Sequence, residues 1–259
     1  MISLMLKTGS TNLFFYNDRR DKMFIDAMAF GAHPDDAELG CGGLLLKLKA
    51  LGYSTGVTDL TEAELSTNGD LSTRQKETEL ASGILKLDIR KNLNLADCNI
   101  ANDLESRLKV IDIVRQYRPS LAIIPYKTDR HPDHENSYKL LKDSFFAAGL
   151  KKFKTGFPEY RPKAVICYML NFGFQPSFIV DISEYHDQKM KACSAFKSQL
   201  YRQPGLDQPT YINSKFFRDH VTGRDKYYGF KIGVEHAEPY YIEDDIRIDD
   251  PVSFFKYLS

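Results

Sequence analysis

A regular alternation of short apolar runs with longer amphipathic segments limits this 259-residue chain to few fold classes. The apolar runs have the length of strands, and the segments between them carry apolar residues at helical spacing. In the first half, the pattern predicts strands at residues 23–30, 53–60, 89–95 and 121–125, and helices at residues 42–51, 72–87 and 103–117. Strands and helices that alternate at this spacing form βαβ units with parallel strands and right-handed crossovers. The sequence therefore predicts an α/β protein whose sheet is mostly parallel and carries helices on both faces.

The second half of the chain is less regular. It predicts strands at residues 164–170 and 178–182, and helices at residues 184–201 and 214–228. Ser72, with Gln75 three residues later, fits a capping box, and Ser183 fits the N-cap of the helix at 184–201. We expect a smaller C-terminal α/β part packed on the main sheet, within a single domain of residues 23–259. Residues 1–22 contain no segment with a predicted partner and are expected to form an N-terminal extension.

Composition argues against several classes of protein. The 35 Lys and Arg residues balance 35 Asp and Glu residues, which is not the basic excess of a typical nucleic-acid binder. No apolar run approaches the roughly 18 residues that a membrane-spanning helix needs, and the first residues lack the apolar core of a secretion signal. The four scattered cysteines predict free thiols in a reducing compartment. We therefore expect a cytoplasmic protein that binds neither nucleic acid nor a membrane.

Two short clusters of histidine and carboxylate residues follow predicted strands. Residues 33–38 read His-Pro-Asp-Asp-Ala-Glu and come directly after the first predicted strand. Residues 129–134 read Asp-Arg-His-Pro-Asp-His and come shortly after the strand at 121–125. Because ligands of open α/β sheets bind beyond the carboxyl ends of the strands, the two clusters are expected to face each other across one site.

Histidine and aspartate at this density suit zinc, or another divalent ion such as Fe2+. A catalytic site uses three protein ligands and keeps a position for water, whose pKa the ion lowers to about 7. A spare carboxylate could accept the proton of that water, and a spare histidine could stabilise an oxyanion or protonate a leaving amine. The spacing alone does not decide between Asp35 and Asp36, or between His131 and His134, as ligands. It also allows an aspartate pair that only caps a helix.

The two clusters resemble the motifs of a known family. Residues 32–38 with Gly42 and Gly43 resemble the pattern AHPDDxE…GG, and residues 131–134 resemble the pattern HPDH. Both patterns are motifs of the PIG-L/LmbE family of zinc-dependent N-acetylglucosamine deacetylases. The resemblance extends over residues 23–240 of the chain.

This resemblance implies a Rossmann-like fold and a role for each motif residue. It implies that zinc is bound by His33, Asp36 and His134. It also implies that Asp35 is the general base, and that His131, oriented by Asp133, stabilises the oxyanion or acts as general acid.

Further residues are similar to the branch of the family that acts in bacillithiol biosynthesis: 61–69, Arg74, Glu77, 129–130, 180–183 and 197–199. The implied substrate is N-acetyl-D-glucosaminyl L-malate, hydrolysed to glucosaminyl malate and acetate. Arg74 is implied to lie near the substrate, where a guanidinium could hold a malate carboxylate with two hydrogen bonds. The alternative for Arg74 is a surface ion pair with Glu77 or Glu79.

Other functions keep part of this chemistry. The chain could deacetylate a different N-acetylglucosamine conjugate or a chitooligosaccharide, or act as an amidase of a thiol conjugate. A catalytically silent metal-binding protein is disfavoured, because Asp35 and His131 are not needed to hold an ion. The resemblance also implies a small glycoside substrate and a homo-oligomer, with hexamers among the relatives. Related enzymes use a C-terminal tyrosine near the transition state, and its match here among Tyr211, Phe216 and Phe217 is not decided by the sequence.

Overall fold

The computed structural model describes residues 24–256, in which seven strands form one sheet. The strands are β1 (Ala27–Gly31), β2 (Thr55–Thr61), β3 (Ile89–Leu95), β4 (Leu121–Pro125), β5 (Ala164–Tyr168), β6 (Phe178–Asp181) and β7 (Ala237–Ile242). Their order across the sheet is β3-β2-β1-β4-β5-β7-β6. Neighbouring strands from β3 to β5 are parallel, whereas β7 runs antiparallel to both β5 and β6. The predicted α/β class with a mostly parallel sheet is confirmed, and the C-terminal strands β6 and β7 join that sheet.

Helices cover both faces of the sheet. In the described part of the chain they are α1 (Asp36–Ala50), α2 (Leu71–Leu85), α3 (Leu104–Tyr117), α4 (Pro132–Ala148), α5 (His186–Cys193), α6 (Lys197–Leu200), α7 (Lys215–Lys231) and α8 (Pro251–Phe255). Alternate residues of β1 point to opposite faces. Met28 and Phe30 pack with α3 and α4, whereas Ala27 and Ala29 pack with α1 and α5. Both faces of β1 are therefore covered by helices and excluded from solvent, which explains its continuous apolar sequence.

Some predicted boundaries are correct and others are not. The strands predicted at 89–95 and 121–125 coincide with β3 and β4. Helix α1 begins at Asp36, but its backbone is kinked at Cys41, so the helix predicted from residue 42 matches the part after the kink. The part before the kink was missed because it is buried on every side and shows no helical pattern of exposure. Neither α4 nor β7 was predicted. Helix α4 begins inside the second cluster with Pro132 in its first turn, and β7 contains Pro239, a residue that argues against a strand.

The two predicted serine caps are wrong. The N-cap of α2 is Asp70, whose side chain accepts a hydrogen bond from the Thr73 amide at 2.7 Å. Ser183 instead donates its hydroxyl hydrogen to Asp181 and lies in a short 3₁₀ turn. The segment predicted as one helix at 184–201 forms two helices, α5 and α6.

Ser214 caps α7, in agreement with the predicted start of the last helix. The predicted extension at residues 1–22 lies outside the described residues. Among residues 24–256, no helix combines the length and the apolar composition needed to cross a bilayer.

Candidate active site

The two predicted clusters meet at the carboxyl edge of the sheet. The first occupies the turn from β1 into α1, and the second lies at the start of α4, shortly after β4. Strands β1 and β4 are neighbours, and the strand order reverses between them, which is the usual ligand position in such sheets. A cavity of about 250 Å³ opens there. Six of the seven predicted site residues line it: His33, Asp35, Asp36, Arg74, His131 and His134.

The Asp36 carboxylate lies between two imidazoles. Its Oδ2 is 3.6 Å from His33 Nδ1, and its Oδ1 is 3.2 Å from His134 Nε2. All three side chains are buried. Burial alone would raise the pKa of Asp36, but the adjacent His134 and His33 hold it well below its usual range. Two ring nitrogens and one carboxylate thus converge in a compact buried group.

The other ring nitrogen of each of these histidines contacts a further carboxylate. His134 Nδ1 is 2.9 Å from Asp129 Oδ1, and His33 Nε2 is 3.2 Å from Asp97 Oδ1. Burial disfavours the charged form of His134, but Asp36 and Asp129 outweigh it and raise the pKa of His134 to about 9. Histidines that bind metals commonly donate their second ring N–H to a carboxylate. This arrangement leaves His33 Nδ1 and His134 Nε2 directed at Asp36 and able to bind an ion.

His33 also belongs to two other groups of potential metal donors, one with His131 and His134 and one with Asp97 and Asp133. The two aspartates have partners of their own. Their carboxylates already accept backbone hydrogen bonds. Asp97 Oδ2 accepts from the Leu65 amide at 2.9 Å, and Asp133 Oδ2 accepts from the Cys98 amide at 2.7 Å. These bonds suit carboxylates that orient His33 through its Nε2.

Asp129 belongs to the second predicted cluster but had no specific role there, and neither Asp97 nor Asn171 was predicted at the site. Asp129 accepts hydrogen bonds from the backbone amide and the side-chain Nδ2 of Asn171, at 2.9 and 2.8 Å. The position of Asp97 and Asn171 in the sequence could have indicated their place in the site, because they follow β3 and β5 at the same edge of the sheet as the two clusters.

Asp35 occupies the N-cap position of α1 but makes no capping hydrogen bond with its side chain. Its backbone φ of 120° is rare for a residue other than glycine and is typical of functional positions. Its Oδ2 lies 3.4 Å from Arg74 Nη2. Burial raises the pKa of Asp35 to about 7, although Arg74 opposes the rise. A carboxyl group with this pKa can exchange a proton near neutral pH.

His131 is the N-cap of α4, and its Nδ1 accepts a hydrogen bond from the Asp133 amide at 3.2 Å. A neutral imidazole that accepts at Nδ1 carries its hydrogen on Nε2. Burial, followed by the charges on His33 and His134, lowers the pKa of His131 and favours this neutral form. The contact predicted between Asp133 and His131 is thus made by the backbone amide. The Asp133 carboxylate lies 3.4 Å from His33 Nε2 instead.

Arg74 reaches the cavity from α2 and is only 6% exposed. Its Nε and Nη1 have no hydrogen-bond partner among the described residues. The ring of Phe196 lies 5.6 Å from the guanidinium carbon. The alternative of a surface ion pair with Glu77 or Glu79 is wrong, because Arg74 is buried and its ion pair is with Asp35. The Glu77 carboxylate instead accepts hydrogen bonds from the amide and hydroxyl of Ser198, both at 2.7 Å. Arg74 is therefore a buried cation in the cavity wall, with two nitrogens that lack a hydrogen-bond partner.

The C-terminal half contributes Phe217 to the cavity wall, whereas Phe216 is exposed. The half-exposed Tyr211 ring lies 4.1 Å from the guanidinium carbon of Arg130, which is itself part of the lining. Within residues 24–256, no tyrosine lines the cavity. Phe217 is therefore the aromatic residue in this wall.

Comparison with known proteins places both clusters in a recognised sequence family. The PIG-L family, described as GlcNAc-PI de-N-acetylase, matches residues 28–145. The crystal structure of the conserved protein TT1542 from Thermus thermophilus has a TM-score of 0.80 and 35% identity, and the match covers 88% of this chain and 98% of that one.

Two further similar proteins are deacetylases by name. Diacetylchitobiose deacetylase of Thermococcus kodakarensis is 27% identical over 65% of this chain and 67% of its own length. The structure of N,N'-diacetylchitobiose deacetylase from Pyrococcus horikoshii, in complex with its inhibitor MPG, has a TM-score of 0.72 and 25% identity. That match covers 83% of this chain and 82% of the other.

Proposed function

The chain belongs to the PIG-L family of deacetylases, and from this membership we propose that it hydrolyses the N-acetyl group of N-acetyl-D-glucosaminyl L-malate. The products are glucosaminyl malate and acetate. The observation that carries the proposal is the buried Asp35 carboxyl, free of any capping bond, beside the group of His33, Asp36 and His134. A site that only stored a metal ion would have no use for such a group.

The proposed metal ligands are His33, Asp36 and His134, and the proposed ion is zinc. Support comes from the two ring nitrogens directed at the Asp36 carboxylate, and from the outer carboxylates that hold both rings. Three protein ligands leave a position for water, which such an ion activates as a Lewis acid near neutral pH. Fe2+ would accept the same donors.

In the proposed reaction, Asp35 transfers the proton and His131 stabilises the negative charge that develops on the acetyl oxygen. Asp35 accepts the proton of the attacking water and passes it to the amine nitrogen as the C–N bond breaks. The hydroxyl group of the same water has by then bonded to the acetyl carbon, so the amine is the leaving group and acetate is the second product. The Nε2–H of His131 donates to the acetyl oxygen as its negative charge grows. The Asp133 amide stabilises the His131 tautomer that makes this donation possible.

Arg74 supports a malate conjugate as the substrate. A buried guanidinium with two unpaired nitrogens favours an anionic partner, and a carboxylate can accept two parallel hydrogen bonds from it. Glucosaminyl malate carries such carboxylates, whereas a chitooligosaccharide carries none. We therefore propose Arg74 as the residue that binds the malate group.

A deacetylase of diacetylchitobiose is the second candidate, favoured by the names of the two similar enzymes. The two candidates are separated by incubating zinc-loaded protein with N-acetylglucosaminyl malate, N,N'-diacetylchitobiose or N-acetylglucosamine. Free acetate and free amine are measured in each case.

Preferential release from the malate conjugate is the expected result. Preference for chitobiose would overturn the substrate assignment, and no release from any of the three would overturn deacetylation of N-acetylglucosaminides. The cytoplasmic location and the homo-oligomer stay predictions of the sequence.

A further inference from the structure

One wall of the cavity comes from a segment that buries almost none of its own side chains. Residues 201–211 link α6 to the start of α7, and every one of their side chains is exposed or half-exposed. Thr210 in this segment and Ile212 next to it nevertheless line the cavity. A segment with few buried apolar contacts depends on hydrogen bonds for its position.

Asn68 supplies two of these hydrogen bonds from the loop that follows β2. Its Nδ2 donates to the Gln208 carbonyl oxygen at 2.9 Å, and its Oδ1 accepts from the Gln208 amide at 2.8 Å. The Asn68 carboxamide thus pairs with one residue of the segment through both backbone groups. Asn68 itself is buried, and its own carbonyl oxygen accepts from Gln199 Nε2 at 2.7 Å.

Two hydrogen bonds connect the Gln208 backbone to Thr210, the residue of the segment that lines the cavity. The Gln208 carbonyl oxygen also accepts from Asn213 Nδ2 at 2.9 Å. Asn213 Oδ1 in turn accepts from the Thr210 amide at 2.9 Å. A change at the Gln208 backbone would therefore move Thr210.

The loop that carries Asn68 is firmly attached on its other side. Its neighbour Gly69 has a φ of 78°, and a Cβ added there would lie 2.8 Å from the Ser198 side chain. Ser198 is bound through its amide and hydroxyl to Glu77 of α2. The ends of the segment have contacts of their own, since Tyr201 hydrogen-bonds to Ser194 and the Tyr211 ring packs on Phe217. Asn68 therefore joins a rigid loop to the middle of the segment, between these two ends.

We propose that Asn68 is a positioning residue for the substrate: by fixing the Gln208 backbone, it holds the wall at Thr210 and Ile212 against the bound sugar conjugate. The kinetic part of this inference rests on the proposed deacetylation. Because Asn68 acts on the wall and not on the metal group, it affects how tightly the substrate is held more than how fast the bound substrate reacts.

The test compares zinc-loaded Asn68→Ala and Asn68→Asp with wild type, and uses Gln208→Ala as a matched control. Asn68→Asp keeps the acceptor but loses the donor, so it serves if the alanine variant does not fold. Gln208→Ala retains both backbone groups that Asn68 binds. Hydrogen exchange measured by mass spectrometry should be about tenfold faster over residues 201–214 in Asn68→Ala, faster by a smaller factor in Asn68→Asp, and unchanged in the control.

With the malate conjugate and diacetylchitobiose as probes, KM should rise about tenfold in the Asn68 variants while kcat changes little. Exchange equal to wild type would overturn the inference, and so would faster exchange with an unchanged KM. Wild-type protein that releases no acetate would instead overturn the proposed function, and the exchange data would still show whether Asn68 holds the segment.

Discussion

Replacing Arg74 by alanine is expected to weaken the binding of substrates that carry a carboxylate far more than the binding of neutral ones. The guanidinium is buried, and its Nε and Nη1 have no partner among the described residues. Its ion pair with Asp35 is long, with 3.4 Å between Arg74 Nη2 and Asp35 Oδ2. Arg74 therefore makes few bonds inside the protein that a bound carboxylate would have to replace.

The magnitude follows from those unused donors. A hydrogen bond to a charged group contributes about 1.5–3 kcal/mol, and about 1.4 kcal/mol corresponds to a tenfold change in affinity. Loss of one such bond should raise the KM for the malate conjugate roughly 10- to 150-fold. N-acetylglucosamine has no carboxylate, so its KM should change little.

The assay is the initial rate of acetate release from both substrates by zinc-loaded protein. Arg74→Lys keeps the charge but not the planar pair of donors, so it should recover only part of the lost affinity. Arg247→Ala removes an exposed arginine outside the cavity lining and serves as the control. An equal rise of KM for both substrates would refute the assignment of Arg74 to the carboxylate.

Three further predictions concern the metal, the base and the buried charges. His33→Ala should lose bound zinc, measured by elemental analysis after dialysis, because two remaining ligands hold an ion poorly. Asp35→Asn should keep its zinc but lose kcat by about 100- to 10,000-fold, measured by acetate release, since an amide cannot accept the proton. Lys189→Met should lower the free energy of unfolding in urea by about 3–5 kcal/mol, because the Lys189 Nζ lies 2.7 Å from Asp225 and 2.8 Å from Glu238, both fully buried.

The histidine and lysine variants have matched controls elsewhere in the chain. His220→Ala and Lys191→Met replace exposed residues of the same type and should change neither zinc content nor stability. Undiminished zinc in His33→Ala would contradict the ligand assignment, and near-normal turnover by Asp35→Asn would remove Asp35 as the base. If Lys189→Met unfolds at the same urea concentration as Lys191→Met, the buried charges are not coupled as inferred.

Much of the fold could be predicted because its signals are local. The strands β3 and β4 lie in short runs whose composition and boundaries are visible within the sequence itself. Their parallel direction in the sheet follows from the helices that connect successive strands. The start of α1 could not be predicted because its residues are buried on every side, which removes the alternation of apolar and polar residues. Strand β7 was missed because it contains Pro239, a residue that is rare inside strands. The broken helix at α5 and α6 has no local signal that we can identify.

The candidate site divides in the same way. The sequence by itself determined the residue types of the two clusters and, through the parallel sheet, that they meet at one edge. Only the tertiary structure decided which ring nitrogens face Asp36, that Arg74 is buried beside Asp35, and that Asn68 holds the backbone at Gln208. The physical reason is that strand and helix patterns are set by neighbours along the chain, whereas burial and hydrogen-bond partners depend on groups separated by as many as 195 positions.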